Sequence, residues 1–186
     1  MKSAASALLS SFDADLQRAP KCDADDAAIL DMMELFFFAY RDFVKDADRL
    51  LAEYGFGRAH HRVLHFVNRR PGLPVAALLD ILKITKQSLN RVLKPLVAGG
   101  FVEARRGAND GRQRLLYTSA RGAALARELA DLQSARFSRV LGGLAPEARA
   151  AATEFLLAMI DDEDRAAACG HLARARLART PMEAAS

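Results

Sequence analysis

The stretch from Pro74 to Thr118 reads PVAALLDILKITKQSLNRVLKPLVAGGFVEARRGANDGRQRLLYT. Val75, Leu78, Leu79 and Leu82 recur at helical spacing, which predicts a short amphipathic helix. A tight turn follows, then a second helix with Leu89, Val92, Leu93, Leu96 and Val97 toward a core. Thr85 is placed to cap that second helix, and Gly99 and Gly100 to end it. Two strand-like runs, Phe101 to Arg106 and Arg114 to Thr118, then flank a Gly-Ala-Asn-Asp-Gly-Arg tip. Helix, turn, helix and basic hairpin in this order predict a winged helix-turn-helix.

The exposed positions of the second helix carry chemistry suited to a base-pair edge. They are Thr85, Lys86, Gln87, Ser88, Asn90, Arg91 and Lys94. Gln and Asn pair bidentately with adenine, Arg and Lys donate to guanine, and Ser and Thr serve either role. An ordinary solvated helix face would mix Glu with Lys instead. At the hairpin, Arg105, Arg106, Asn109, Asp110, Arg112 and Arg114 crowd the tip. An Asp two residues from an Arg can hold a guanidinium extended, which suits the negative potential of a narrow A·T minor groove. A polar surface helix with a solubilising basic turn is the plainer alternative.

With these residues in place, the chain resembles the MarR family of bacterial transcriptional regulators. The resemblance rests on Asp110-Gly-Arg112, Leu115-Leu116-Tyr117-Thr118 and Gly122, and plausibly extends from Ala27 to about Asp161. It implies that Asp110 and Arg112 stabilise the wing, with the Arg reaching the minor groove. It also implies that Thr118 begins the next helix, with Gly122 in its first turn. Two positions depart from the usual pattern. Lys83 stands in the turn where Gly is common, and Pro95 lies inside the second helix. Pro lacks an N–H and crowds the carbonyl four residues back, so a kink or an early end near Lys94 is expected.

The outer regions follow from the same reading. The chain of 186 residues is 51% hydrophobic and 27% charged, enough apolar material for one packed domain with extensions. Residues 58–127 contain fourteen Lys or Arg against three Asp or Glu, while the remainder is net acidic. Positive charge is therefore concentrated on the helix-turn-helix and wing, as phosphate binding requires. A mobile arm is expected over 1–24 and a helical dimerisation region over 25–57 and 119–170. The DNA-binding lobe is expected over 58–118 and a tail over 171–186. Phe36, Phe37 and Phe38 point in three directions around one long helix, so more than one side needs cover. A second subunit supplies it, and the resemblance places the first helix and the last two helices at such an interface. The Asp161-Asp162-Glu163-Asp164 run is expected to be solvated or to pair with a partner's arginines, and a short Ala/Arg-rich helix to follow it. The fold class expected is mainly α with a small β-hairpin wing.

Several other residues could carry function. His61 and His65 are one helical turn apart and could share a metal. With Phe37, Tyr40 and Arg41 they could instead line a pocket for a small aromatic or anionic effector, or they could simply be satisfied locally. Cys22 sits between Lys21 and Asp23, with redox sensing and inertness both open. Two distant cysteines form no disulfide framework, and the N-terminus is too short and polar for a secretory or membrane segment, so a cytoplasmic protein is expected. No nucleophile–base pair, phosphate-binding loop or paired-Cys motif points to an enzyme or to a cofactor. The expectation is a homodimer on an inverted-repeat operator in double-stranded DNA, responsive to a small ligand. A regulator without an effector and a non-specific nucleic-acid-binding protein are the alternatives.

Overall fold

The computed structural model describes residues 26–107 and 113–183. The expected N-terminal arm with Cys22, and Asn109, Asp110 and Arg112 at the wing tip, lie outside the described residues. Described elements are α1 (Asp26–Ala52), α2 (Arg58–Arg69), β1 (Leu73–Pro74), α3 (Val75–Leu82), α4 (Lys86–Ala98), β2 (Val102–Arg106), β3 (Arg114–Thr118), α5 (Ala120–Gly142), α6 (Pro146–Ala158) and α7 (Asp162–Glu183). The chain divides into two compact units, residues 39–139 and residues 1–38 with 140–186. Among the described residues, no helix is long and apolar enough to cross a membrane.

The 39–139 unit contains the helix-turn-helix and wing. Its core joins Ala47 and Leu51 of α1 to Val63, Leu64 and Val67 of α2, Leu78 of α3, and Leu89 and Leu96 of α4. Val102, Leu116, Leu125 and Leu129 close it from the sheet and α5. Within α1, α2, α4 and α5 the buried residues recur three, four or seven apart, so one stripe of each is buried. The sheet is antiparallel in the order β1-β3-β2, with Leu73 opposite Leu116 and Ala104 opposite Leu116 on the other side. The two-residue strand β1 was not expected from the sequence.

The turn between α3 and α4 is made by Lys83 in the left-handed region, at φ 50° and ψ 46°. It is the one non-glycine with positive φ among the described residues. A side chain there costs about 1–2 kcal/mol relative to glycine, which is why glycine is common at such a turn.

Three expectations are corrected. Helix α4 continues through Pro95 to Ala98 rather than ending near Lys94. Arg91 is on the exposed side, where water can take the bond that Pro95 does not supply. Val97, expected in the core, is 44% exposed and borders the groove described below, while Leu89 and Leu96 are the buried residues of α4. Thr118 does not begin the next helix. It ends β3 and donates to Asn68 Oδ1 at 3.2 Å, while Ser119 caps α5 by accepting the Gly122 N–H at 3.0 Å. The end of α4 is as expected: the Gly100 and Phe101 N–H groups bond Val97 and Leu96 carbonyls, with Gly100 at φ +70°.

In the other unit, Arg165 is 5% exposed and closes the corner between α6 and α7. Its guanidinium donates to the Leu157 and Ile160 carbonyls and pairs with Asp162 at 2.6 Å. One member of the acidic run thus pairs within its own chain. The following helix is long, not short, running from Asp162 to Glu183.

Candidate nucleic-acid interface

Thr85 begins α4 by accepting the Ser88 N–H at 3.2 Å, and the two hydroxyls lie 3.0 Å apart. That cap fixes the first turn and leaves Lys86, Gln87, Asn90, Arg91 and Lys94 exposed along the helix. Lys86, Asn90 and Lys94 are four residues apart in turn and form one row. They line a groove of about 1000 Å³ whose far wall is Ala104, Gln113, Arg114 and Leu116 of the wing. Pro74, Val75 and Leu79 at the start of α3 form its apolar end. Cationic and amide groups of the helix therefore face a wing arginine across one concave surface.

The wing separates the arginines that the sequence groups together. Successive residues of a strand face opposite sides. Ala104 and Arg106 share a face of the sheet with Leu116 and Arg114, with Arg106 directly opposite Arg114, and Ala104, Arg114 and Leu116 line the groove. Like charges opposed across a strand pair are destabilising. Arg105 is on the other face. Its guanidinium donates to Glu103 Oε2 at 3.1 and 2.8 Å and lies 4.5 Å from the Tyr117 ring centroid. The Gly107 N–H bonds the Gln113 carbonyl at 3.0 Å and closes the hairpin beneath the tip.

The residues considered for an effector are placed differently. Phe37 belongs to one unit, and Tyr40, Arg41, His61 and His65 to the other. Arg41 pairs with Asp42 at 2.9 Å, and Arg58 lies over the Tyr40 ring at 5.6 Å. His61 and His65 are half-buried on α2. Burial lowers the pKa of both, and that of His65 falls to about 4, with Arg69 and His61 adding to the effect. Among the described residues, no group of three or more His, Cys, Asp or Glu is placed to hold a metal ion.

A testable pH dependence follows. As pH falls below 6.5, the unfolded chain takes a proton on His65 before the folded chain does. Stability should therefore decline between pH 6.5 and pH 4. Urea midpoints measured across that window should fall less in His65→Leu than in the native chain. An equal fall in both would remove His65 as the cause.

Comparison with known proteins settles the family. A model described as the MarR family matches residues 54–113. The chain is 47% identical over 129 residues to the HTH-type transcriptional regulator PetP of Rhodobacter capsulatus, covering 69% of this chain and 78% of that one. The chain belongs to the MarR family. It is accordingly a DNA-binding transcriptional regulator and not an enzyme. The MarR fold is seen in two solved structures at low identity. FabT of Streptococcus pneumoniae, solved in complex with DNA, matches with TM-score 0.60 at 15% identity, over 69% of this chain and 92% of that one. A MarR transcriptional regulator from Methanosarcina mazei matches with TM-score 0.57 at 23% identity, over 69% and 92%.

Within this MarR-family lobe, sequence reasoning missed two residues. Gln113 lines the groove beside Arg114; its position next to the tip was the available signal. Arg121 on α5 donates to the Gly99 carbonyl at the end of α4, at 2.9 Å. Nothing in its spacing announces that contact.

Proposed function

We propose that this regulator reads an inverted-repeat operator as a homodimer, acts in the cytoplasm, and responds to a small effector. The groove carries the reading, because Lys86, Asn90 and Lys94 share it with Gln113 and Arg114. A helix laid in the major groove beside a wing on the adjacent backbone would use these two walls together. Gln87 and Asn90 are assigned to base edges, with Thr85 and Ser88 at the helix start. Lys86, Arg91, Lys94 and Arg106 are assigned to phosphates, and Arg112 and Arg114 to the wing contact. Arg105 reaches a phosphate only from the outer face of the wing. Asn109 and Asp110 are assigned to supporting the wing contact. Pairing is supported by large apolar residues left exposed on α1, α5 and α6, among them Met33, Phe36, Phe137, Phe155 and Leu156. Two copies related by a two-fold axis would present two α4 helices to half-sites one helical turn apart.

An aromatic carboxylate is the effector class proposed. Neutral His61 and His65 can donate to it, with Tyr40 and Arg41 of the same unit as further contacts. Such a ligand acts only through its differential affinity for the operator-competent form. A thermal-shift series with salicylate and benzoate tests this, and no shift at millimolar ligand would leave a regulator without that effector.

The operator reading is tested with duplexes selected by the protein from a random library. Asn90→Ala should cost roughly 1–3 kcal/mol on the selected duplex and little on a scrambled one. Arg114→Ala should weaken both and lower the salt slope by about 0.9. Recovery of no common sequence would favour non-specific binding.

A further inference from the structure

The first turn of α5 takes hold of the end of α4. Ser119 N–H donates to the Phe101 carbonyl at 3.1 Å, and Ser119 Oγ donates to the Gly100 carbonyl at 2.6 Å. Arg121 Nη1 donates to the Gly99 carbonyl at 2.9 Å, and its guanidinium carbon lies 4.2 Å from the centroid of the Phe101 ring. Three consecutive carbonyls, those of Gly99, Gly100 and Phe101, are thus each bound from α5. The end of α4 has two glycines and no basic residue in its last turn. It therefore has no side chain of its own to offset the negative end of the helix dipole, and Arg121 supplies that charge from the neighbouring element. The Phe101 ring beneath the guanidinium is itself anchored, with its residue 3% exposed and its ring 5.1 Å from that of Phe56.

We propose that Arg121 is a positioning residue for DNA readout: it sets where α4 lies relative to α5 and acts on DNA only through α4. This rests on the reading that α4 carries the base contacts. The guanidinium is occupied by a carbonyl and a ring, so its contribution is geometry, not phosphate neutralisation. Any displacement of α5 is passed to Gln87 and Asn90 through the Gly99 carbonyl. The two hydroxyl and amide bonds of Ser119 hold the turn together, and Arg121 fixes its orientation.

The test compares Arg121→Met, which keeps the length and loses the donors, with Arg121→Gln and Arg121→Lys. Binding is measured by fluorescence anisotropy on the duplex selected by the full chain and on a scrambled duplex, across a salt series. Arg121→Met should lower affinity for the selected duplex about tenfold, as expected if the fraction of chains with α4 correctly placed falls to about a tenth. Affinity for the scrambled duplex and the salt slope should hardly change, and Arg121→Lys should recover part of the loss. A slope reduced by about 0.9 would instead make Arg121 a phosphate contact. Equal loss on both duplexes with a lower urea midpoint would make it merely structural. If Arg121→Met does not fold, Arg121→Gln decides on the same measurements. Hydrogen exchange at the Gly100 and Phe101 amides, without DNA, gives a second reading. Faster exchange in Arg121→Met supports the proposal, and unchanged exchange overturns it. If the native chain selects no sequence, the α4 reading fails while the exchange result still decides what Arg121 does.

Discussion

Gly122→Ala is expected to destabilise the chain by about 3 kcal/mol or more, near the upper end of overpacking penalties. A Cβ on Gly122 would lie 1.9 Å from the Phe101 carbonyl oxygen and 2.8 Å from its carbon. Both atoms are backbone, so no rotamer change relieves the clash. Moving α5 away would break the Ser119 bonds to Gly100 and Phe101. Urea denaturation should show a much lower midpoint, and DNA affinity should fall with it. Gly142→Ala is the control, since an added Cβ there meets nothing within 4 Å. It should change stability by no more than about 1 kcal/mol. Equal effects at the two positions would mean that the approach of α5 to Phe101 is not the reason for the glycine.

The second large effect concerns pairing of two copies. Phe36→Glu and Phe155→Glu each place a charge at a residue that is 46% exposed in the single chain. Both should convert a dimer to a monomer in light scattering. Loss of the second half-site should then lower affinity for the selected duplex by roughly 100-fold or more. Unfolding is separable, because a side chain already exposed in the monomer contributes little to its core. A monomer that keeps full affinity would end the inverted-repeat reading. A dimer that persists in both variants would place the pairing surface elsewhere.

The central lobe was legible because several local signals agreed. Thr85, the apolar period around Leu89, and Gly99-Gly100 mark the start, inner face and end of α4 independently. The hairpin was legible for the same reason, with a turn dipeptide between two β-capable runs. What escaped depended on neighbours distant in sequence. Strand β1 has two residues, too few to show alternation, and exists because Leu73 pairs with Leu116. Val97 satisfies the helical period, yet it borders an open groove that no wheel diagram contains. Pro95 is carried inside α4 without ending it, and Arg91, whose carbonyl it leaves without an amide partner, is on the exposed side. At the site, periodicity supplied the row on α4, but the division of the wing arginines needed strand register. Arg105 and Arg106 are neighbours in the chain and on opposite faces of the sheet.

The Arg106–Arg114 rung has a thermodynamic corollary. Two guanidinium groups held across one strand pair repel each other until a polyanion screens them, so closing the hairpin there and docking on a duplex favour one another. By reciprocity, bound DNA favours closure of that rung by the same free energy by which closure favours DNA, so long as both charges are present. Removing one of the two charges should leave a firmer hairpin and a weaker grip, which links the free energy of a folded feature to the ionic strength at which the protein lets go.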